Sequence, residues 1–326
     1  MSSHKDKEAI PNATYDWDNY AHYRPRYPPA TTKLIMDYHR AHSNSLRLAH
    51  DIGSGSGVYV PTLSEYFQHV HVSDPNVENL SQARQRLDKW YAENWWKAKF
   101  TFSQTTAEQA NECVANGSVD LCTLMMSAHW TEGNGEKFVA AVAESLAPNG
   151  TLAVVQYNPC PRVVGNERAA EAVRELYTTY GRVIREKIPW ARGLVEKNNS
   201  PLDWVDLPEG VFIQGVTKRV KINAYSRESD ELFCIPGQED LWAESRVGKE
   251  QRKYWYDEGR DKEAEGWRME VGKEWFRGSL ESLRQGEFME EYEQVLMEVE
   301  RVIRETTEDG RVVVEWAVAI LVATKK

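Results

Sequence analysis

RLAHDIGSGSG, residues 47–57, says more about this chain than any other stretch. A short apolar run ends in a carboxylate, Asp51, and opens into a loop with glycine at 53, 55 and 57, followed by the helix-compatible run 58–67. Glycine lets the backbone turn sharply and lie close against a ligand, with no Cβ in the way. The helix that follows would turn its unpaired N–H groups and positive dipole end toward that ligand. Strand, glycine turn and helix make the nucleotide-binding opening of a doubly wound α/β fold, which holds its ligand outside the carboxyl ends of the strands. The spacing is GxGxG, because position 58 is Val58, whereas a dinucleotide site carries GxGxxG. Alone, the loop also reads as a plain structural turn.

The segments that follow change that weighting. Residues 70–72 lead into Ser73 and Asp74, a second short strand ending in a carboxylate whose two oxygens suit a ribose hydroxyl pair. Residues 101–103 run into Thr105, Thr106, Ala107 and Glu108, where a strand end can offer backbone and polar groups to an adenine edge. Residues 119–126 are a nearly continuous apolar strand ending in Ser127, Ala128, His129 and Trp130. Residues 143–148 then read as a helix end, Asn149–Gly150 as a turn, and 151–156 as another buried strand. Such repeated βαβ alternation predicts a parallel sheet.

With these pieces the chain resembles a class I S-adenosylmethionine-dependent methyltransferase. DIGSGSG matches the first glycine motif, SDPN the ribose-binding acid, TAE the adenine loop, SVDLCTLMMSAHW the fourth strand, and LAPNGTLAVVQY the lead into the fifth. More narrowly it is similar to the fungal relatives of trans-aconitate methyltransferase, the type 11 group, through YAHYRPRYP at 20–28, the Ala-His-Trp after the fourth strand, and a long helical section between the fifth and last strands. The resemblance implies a Rossmann-like seven-stranded α/β sheet with an antiparallel last strand and a helical cap inserted after the fifth. It implies S-adenosyl-L-methionine as cofactor, held by Asp51, Gly53, Ser54, Gly55, Asp74, Pro75, Asn76, Thr106, Ala107, Glu108 and Ser127. In related enzymes a segment like 14–28 closes over the cofactor, and there Arg24 would fork onto the methionine carboxylate while Tyr20 or Tyr15 adds a hydroxyl. An aromatic surface helix docked on the core explains the same segment.

Length and composition fit. At 326 residues the chain exceeds a minimal methyltransferase core and leaves room for a cap. No apolar run is long enough to span a bilayer, so a soluble, cytoplasmic protein without membrane partners is expected. The four cysteines, Cys113, Cys122, Cys160 and Cys234, lack CxxC spacing and read as reduced structural thiols, with neither a zinc site nor a disulfide framework. The net charge of −10 is concentrated in residues 226–310, which hold 24 Asp and Glu against 13 Lys and Arg. That acidity repels phosphate backbones and argues against a nucleic-acid substrate, although solvated helix faces are its simplest source.

After residue 160 the alternation lapses. Residues 166–180 place Ala169, Ala172, Val173, Leu176, Tyr177 and Tyr180 on one helical stripe. Pro189 and the run 198–201 break the chain, and 215–223 reads as a sixth strand. Residues 228–286, with Trp242, Trp255, Trp267 and Trp275 among dense charge, read as cap helices. Residues 288–306 recur at helical spacing, and 312–324 form one long apolar strand. The expected division is 1–160 for lid and cofactor core, 161–287 for a mostly helical substrate cap, and 288–326 to complete the core.

The chemistry follows from the sulfonium. Methyl transfer needs a nucleophile in line with the S–CH3 bond and water excluded. His129 is the candidate catalytic group, a general base for a hydroxyl acceptor or an orienting group for a carboxylate, with Trp130 at the rim; a strand-end packing role is the plain alternative. SAHW stands where amine-methylating enzymes carry Asn/Asp-Pro-Pro-aromatic, and no His and carboxylate cluster near the fourth strand suggests a catalytic metal. The expected function is O-methylation of a small metabolite by a monomer or homodimer. A cofactor-assisted rearrangement or cyclisation and a non-enzymatic regulator are the competing readings.

Overall fold

The computed structural model describes residues 22–326, without the side chains of 284–287. Its centre is a parallel array formed as the alternation predicts: β1 (Leu48–Ile52), β2 (His69–Asp74), β3 (Lys99–Gln104), β4 (Val119–Met125) and β5 (Leu146–Tyr157). Four helices belong to this half: α1 (Pro29–His42), α2 (Val60–Ser64), α3 (Val77–Asn94) and α4 (Glu136–Ser145). α3 starts at Asn76, whose side chain accepts from Glu78 N at 2.8 Å and caps the first turn. β4 is buried along its whole length, as a strand covered on both faces must be.

Beyond β5 come β6 (Arg162–Val164), α5 (Glu167–Lys187), α6 (Arg192–Asn199) and β7 (Lys218–Ile222). They are followed by β8 (Arg252–Tyr256), β9 (Arg268–Gly272), α7 (Trp275–Leu280), α8 (Glu293–Thr306), β10 (Arg311–Glu315) and β11 (Val318–Thr324). α5 starts at Asn166, which accepts from Ala169 N at 3.1 Å, and buries the predicted stripe, with Ala172 only partly covered, extended to Val183 and Ile184. α8 packs on α5 through Leu296, Val299, Val302 and Ile303.

The main sheet runs β3-β2-β1-β4-β5-β11-β7-β8. β11 is antiparallel to both β5 and β7, so the expected closing strand is present. Three expectations need correction. First, the sheet has eight strands, because β8, Arg252–Tyr256, pairs parallel to β7 as an extra edge. Trp255 therefore sits on a core edge strand, opposite Lys221, and not on a cap helix. The signal was present in alternating aromatics: Tyr254 and Tyr256 stack on one face at 6.4 Å, a period of two that charge density obscured.

Second, residues 200–274 are mostly irregular, with short helical turns and strands, so helix dominates only the first part of the cap. Glycines at 237, 248, 259, 266 and 272 interrupt every candidate helix there. Trp267 is completely buried, donating Nε1 to Thr31 Oγ1 at 3.1 Å. Third, residues 312–324 are two strands. β10 joins a separate antiparallel sheet, β6-β10-β9, and the chain crosses at Trp316–Ala317 into β11. The cause is Glu315, fully buried between Arg162 and Arg268 and accepting from Tyr225 OH at 2.9 Å. A charge so placed needs its own partners and cannot continue an apolar ladder.

Candidate cofactor and acceptor site

The carboxyl ends of β1, β2 and β4 converge on the glycine loop. Gly53 has φ +64°, and a Cβ there would lie 2.6 Å from Ser127 Cβ, so glycine is required for the loop to close on the end of β4. Ser127 Oγ donates to Ile52 O at 2.8 Å, and Ser54 N to Ser73 O at 3.0 Å. These bonds tie three strand ends into one rim.

Two carboxylates face each other across it. Asp51 is buried and accepts from Thr123 Oγ1 at 2.6 Å. Burial pushes its carboxyl up to about 7; the Thr123 bond opposes this and the nearby Asp74 charge adds to it. Asp74 accepts from Gly55 N at 2.9 Å, Asn76 N at 2.9 Å and Asn79 Nδ2 at 3.0 Å. Burial raises its pKa and those three bonds hold it down. A carboxylate has about four lone-pair sites. Asp74 thus already spends most of its capacity on the loop, and a ribose hydroxyl pair competes with Gly55, Asn76 and Asn79 for it.

The turn at 105–108 lies beside this rim: Thr105 N donates to Asp74 O at 3.3 Å, and Glu132 N to Glu108 Oε1 at 2.8 Å. Thr106 precedes a 3-10 turn that begins at Ala107, while Pro75 O accepts from Gln104 Nε2 at 3.1 Å. Arg24 is buried with its charge acting on Cys160, Tyr177 and Tyr180, which places it over the end of β5 and α5. Tyr27 packs edge-on to Tyr59, just after the glycine loop, at 5.3 Å. Residues 22–28 therefore pack near the end of β5, α5 and the turn that follows the glycine loop. Tyr20 and Tyr15 lie outside the described residues.

At the end of β4, Met126 takes φ +56°, a strained conformation for a residue with a side chain. It turns the chain so that Ala128–Trp130 form a single 3-10 turn over the sheet end. Trp130 is half exposed, with its ring 5.5 Å from the His129 ring. His129 is buried, and its Nδ1 has no hydrogen-bond partner among the described residues.

Burial first, and then the charge of Lys197, bring the His129 pKa down to about 3. Lys197, on α6, was not foreseen. Its Nζ donates to Thr131 O and lies 4.8 Å over the Trp204 ring. Burial lowers its pKa to about 8, against the opposing pull of Glu108. Only a generic Lys after a broken segment marked it in sequence. Gln156 Nε2, donating to Lys197 O at 3.0 Å, fixes α6 against the end of β5.

Residues 50–154 match the family model described as a methyltransferase domain. Methyltransferase gedG of Aspergillus terreus is 34% identical over 143 residues, 44% of this chain and 42% of that protein. Methyltransferase tpcM of Aspergillus fumigatus is 32% identical over 143 residues, 44% and 41% of the two chains. The match thus spans about two fifths of the length of these relatives. CalS10, an amino pentose methyltransferase from Micromonospora echinaspora solved with S-adenosylmethionine bound, covers 41% of this chain and 53% of its own at 23% identity, with a TM-score of 0.33.

Residues 50–154 thus match a methyltransferase domain, and the cofactor that the sequence resemblance implies is S-adenosyl-L-methionine. The residues fit that group. Asp51 and Asp74 suit an ammonium and ribose hydroxyls, and the buried Ser56 Oγ and His129 Nδ1 lack partners among the described residues.

Proposed function

We propose that this chain methylates an oxygen of a small-molecule acceptor, and that the acceptor is a carboxylate. The observation that carries this is the pairing of a neutral, buried His129 with the cationic Lys197 at the end of β4. The cofactor supplies an electrophilic methyl group on a sulfonium. A hydroxyl acceptor would need a base, and an imidazole whose conjugate acid has a pKa of about 3 is a weak one at neutral pH. An anionic acceptor needs no base. It needs a positive charge and an orienting donor, which Lys197 and a neutral His129 provide.

Asp51 would hold the cofactor's ammonium, and the loop 53–55 with Asp74 its ribose side. The lid segment with Arg24 and Tyr27 would exclude water. Acceptor choice falls to α6 and the irregular segment 200–241, which bonds to the ends of β5 and α6 through Asn158 and Asn199. The acidic section 226–310, which repels phosphate backbones, supports a small acceptor over a nucleic acid.

The test is transfer of labelled methyl from S-adenosyl-L-methionine into a metabolite extract, then pH profiles on the labelled acceptor. The expected kcat is flat from pH 5 to 8, since His129 stays neutral throughout. The KM should rise above pH 8 as Lys197, with a pKa of about 8, loses its proton. Lys197→Met should raise KM more than it lowers kcat. A kcat that climbs through pH 6–7 and is lost in His129→Ala would assign a base and a hydroxyl acceptor instead.

A further inference from the structure

A second cluster lies behind the glycine loop. His50 on β1 and His71 on β2 are register partners, so their side chains leave the same sheet face, opposite to that of Asp51. Their rings meet edge-on with centroids 4.7 Å apart. Cys113, at the end of the 3-10 turn Ala107–Glu112, closes the group. One ligand atom from each of the three lies within 4.8 Å of the others.

The hydrogen bonds are what make this cluster unusual. His50 Nε2 is bonded to Ser73 Oγ at 2.8 Å, and His71 Nδ1 to Thr101 Oγ1 at 2.7 Å. The opposite ring atoms, His50 Nδ1 and His71 Nε2, are buried and have no partner among the described residues. Buried polar atoms are nearly always satisfied, so two orphans on neighbouring rings call for an explanation. A ligating histidine commonly has its other nitrogen fixed by a hydrogen bond, the place Ser73 and Thr101 fill.

We propose that His50 Nδ1, His71 Nε2 and the Cys113 thiolate form a binding site for one zinc ion. Two imidazoles and a thiolate are the donor set of borderline-soft divalent ions. Zinc–ligand bonds of about 2.0–2.3 Å require the donors to close by roughly 1 Å, within reach of side-chain rotation. The Cys113 proton leaves to solvent as the Zn–S bond forms. The ion joins β1, β2 and the adenine-side turn, so it braces the rim from the face opposite Asp51. Ligand spacing could not reveal it, because the donors come from two strands and a turn brought together only by the fold.

The test uses the full chain, freed of metal by a chelator and titrated with Co(II) and then Zn(II). One-to-one Co(II) binding with a near-ultraviolet thiolate-to-cobalt band is expected, displaced by zinc and accompanied by a higher melting temperature. Cys113→Ser should abolish that band and weaken zinc at least about tenfold while the protein stays folded. His71→Gln, which keeps a group able to bond Thr101, should weaken zinc comparably. The absence of saturable one-to-one binding, or a Cys113→Ser variant with unchanged spectrum and affinity, overturns the site. Neither result depends on methyl transfer.

Discussion

Residues 48–157 and 200–274 both contribute strands to one sheet, yet they satisfy their backbones in different ways. The first does so with ladders and helices, so its buried side chains are free to be apolar. The second has little regular structure, and its polar groups are met one at a time by buried side chains. Asn199 donates to Gln238 O and Leu241 O and accepts from Ile235 N, all at 2.9 Å. Arg219 donates to Leu202 O and Val205 O, and Asn223 to Trp316 O. Regular structure spreads its hydrogen bonds over many residues, whereas an irregular cover concentrates them on a few.

The largest effect is expected where that concentration is greatest. Asn199→Leu leaves Leu241 O and Ile235 N unpaired, while Gln238 O keeps Leu241 N as a donor; at about 1–3 kcal/mol for each unpaired group the variant should cost roughly 2–6 kcal/mol in urea denaturation. An unchanged midpoint would break the contrast.

Next comes Asp51, where the regular half stores a cost for function. Its carboxyl rises from 3.8 to about 7 on folding. A raised folded pKa means that the stability contributed by the neutral acid is full below pH 3.8 and is lost as pH climbs through 7. Asp51→Asn should therefore stabilise the cofactor-free protein at pH 8 by up to about 4 kcal/mol and by less at pH 5. Calorimetry should show weaker cofactor binding in the same variant. Equal stabilisation at both pH values would remove the buried-carboxylate argument.

A smaller loss is expected from Gly53→Ala, where φ +64° and the 2.6 Å approach to Ser127 Cβ both resist a side chain. The left-handed backbone alone costs about 1–2 kcal/mol, and displacement of the rim should lower cofactor affinity about tenfold or more. The smallest effect belongs to the ladder core: Ile320→Val on β11 should cost only about 0.5–1.5 kcal/mol. If it matched Asn199→Leu, the two regions would not differ in the way described.

Much of the regular half was legible in sequence. The glycine loop, Asp51 and Asp74 at strand ends, Ser127 to Trp130 after β4, and the stripes of α5 and α8 all express local rules of period and turn chemistry. The edge strand β8 was misread because its aromatic alternation lay within dense charge. The break between β10 and β11 was missed because it depends on Arg162 and Arg268, each far from Glu315 in sequence. Lys197 carries no signal in its own segment.

The sequence by itself determined the order of elements through β5 and the methyltransferase character of residues 50–154, since these rest on short-range patterns that survive without neighbours. Tertiary structure alone decided the low pKa of His129 beside Lys197, the commitment of Asp74 to its own loop, and the meeting of His50, His71 and Cys113. Burial, pKa and donor geometry are set by what distant segments bring within a few ångströms, and no periodicity along the chain encodes that.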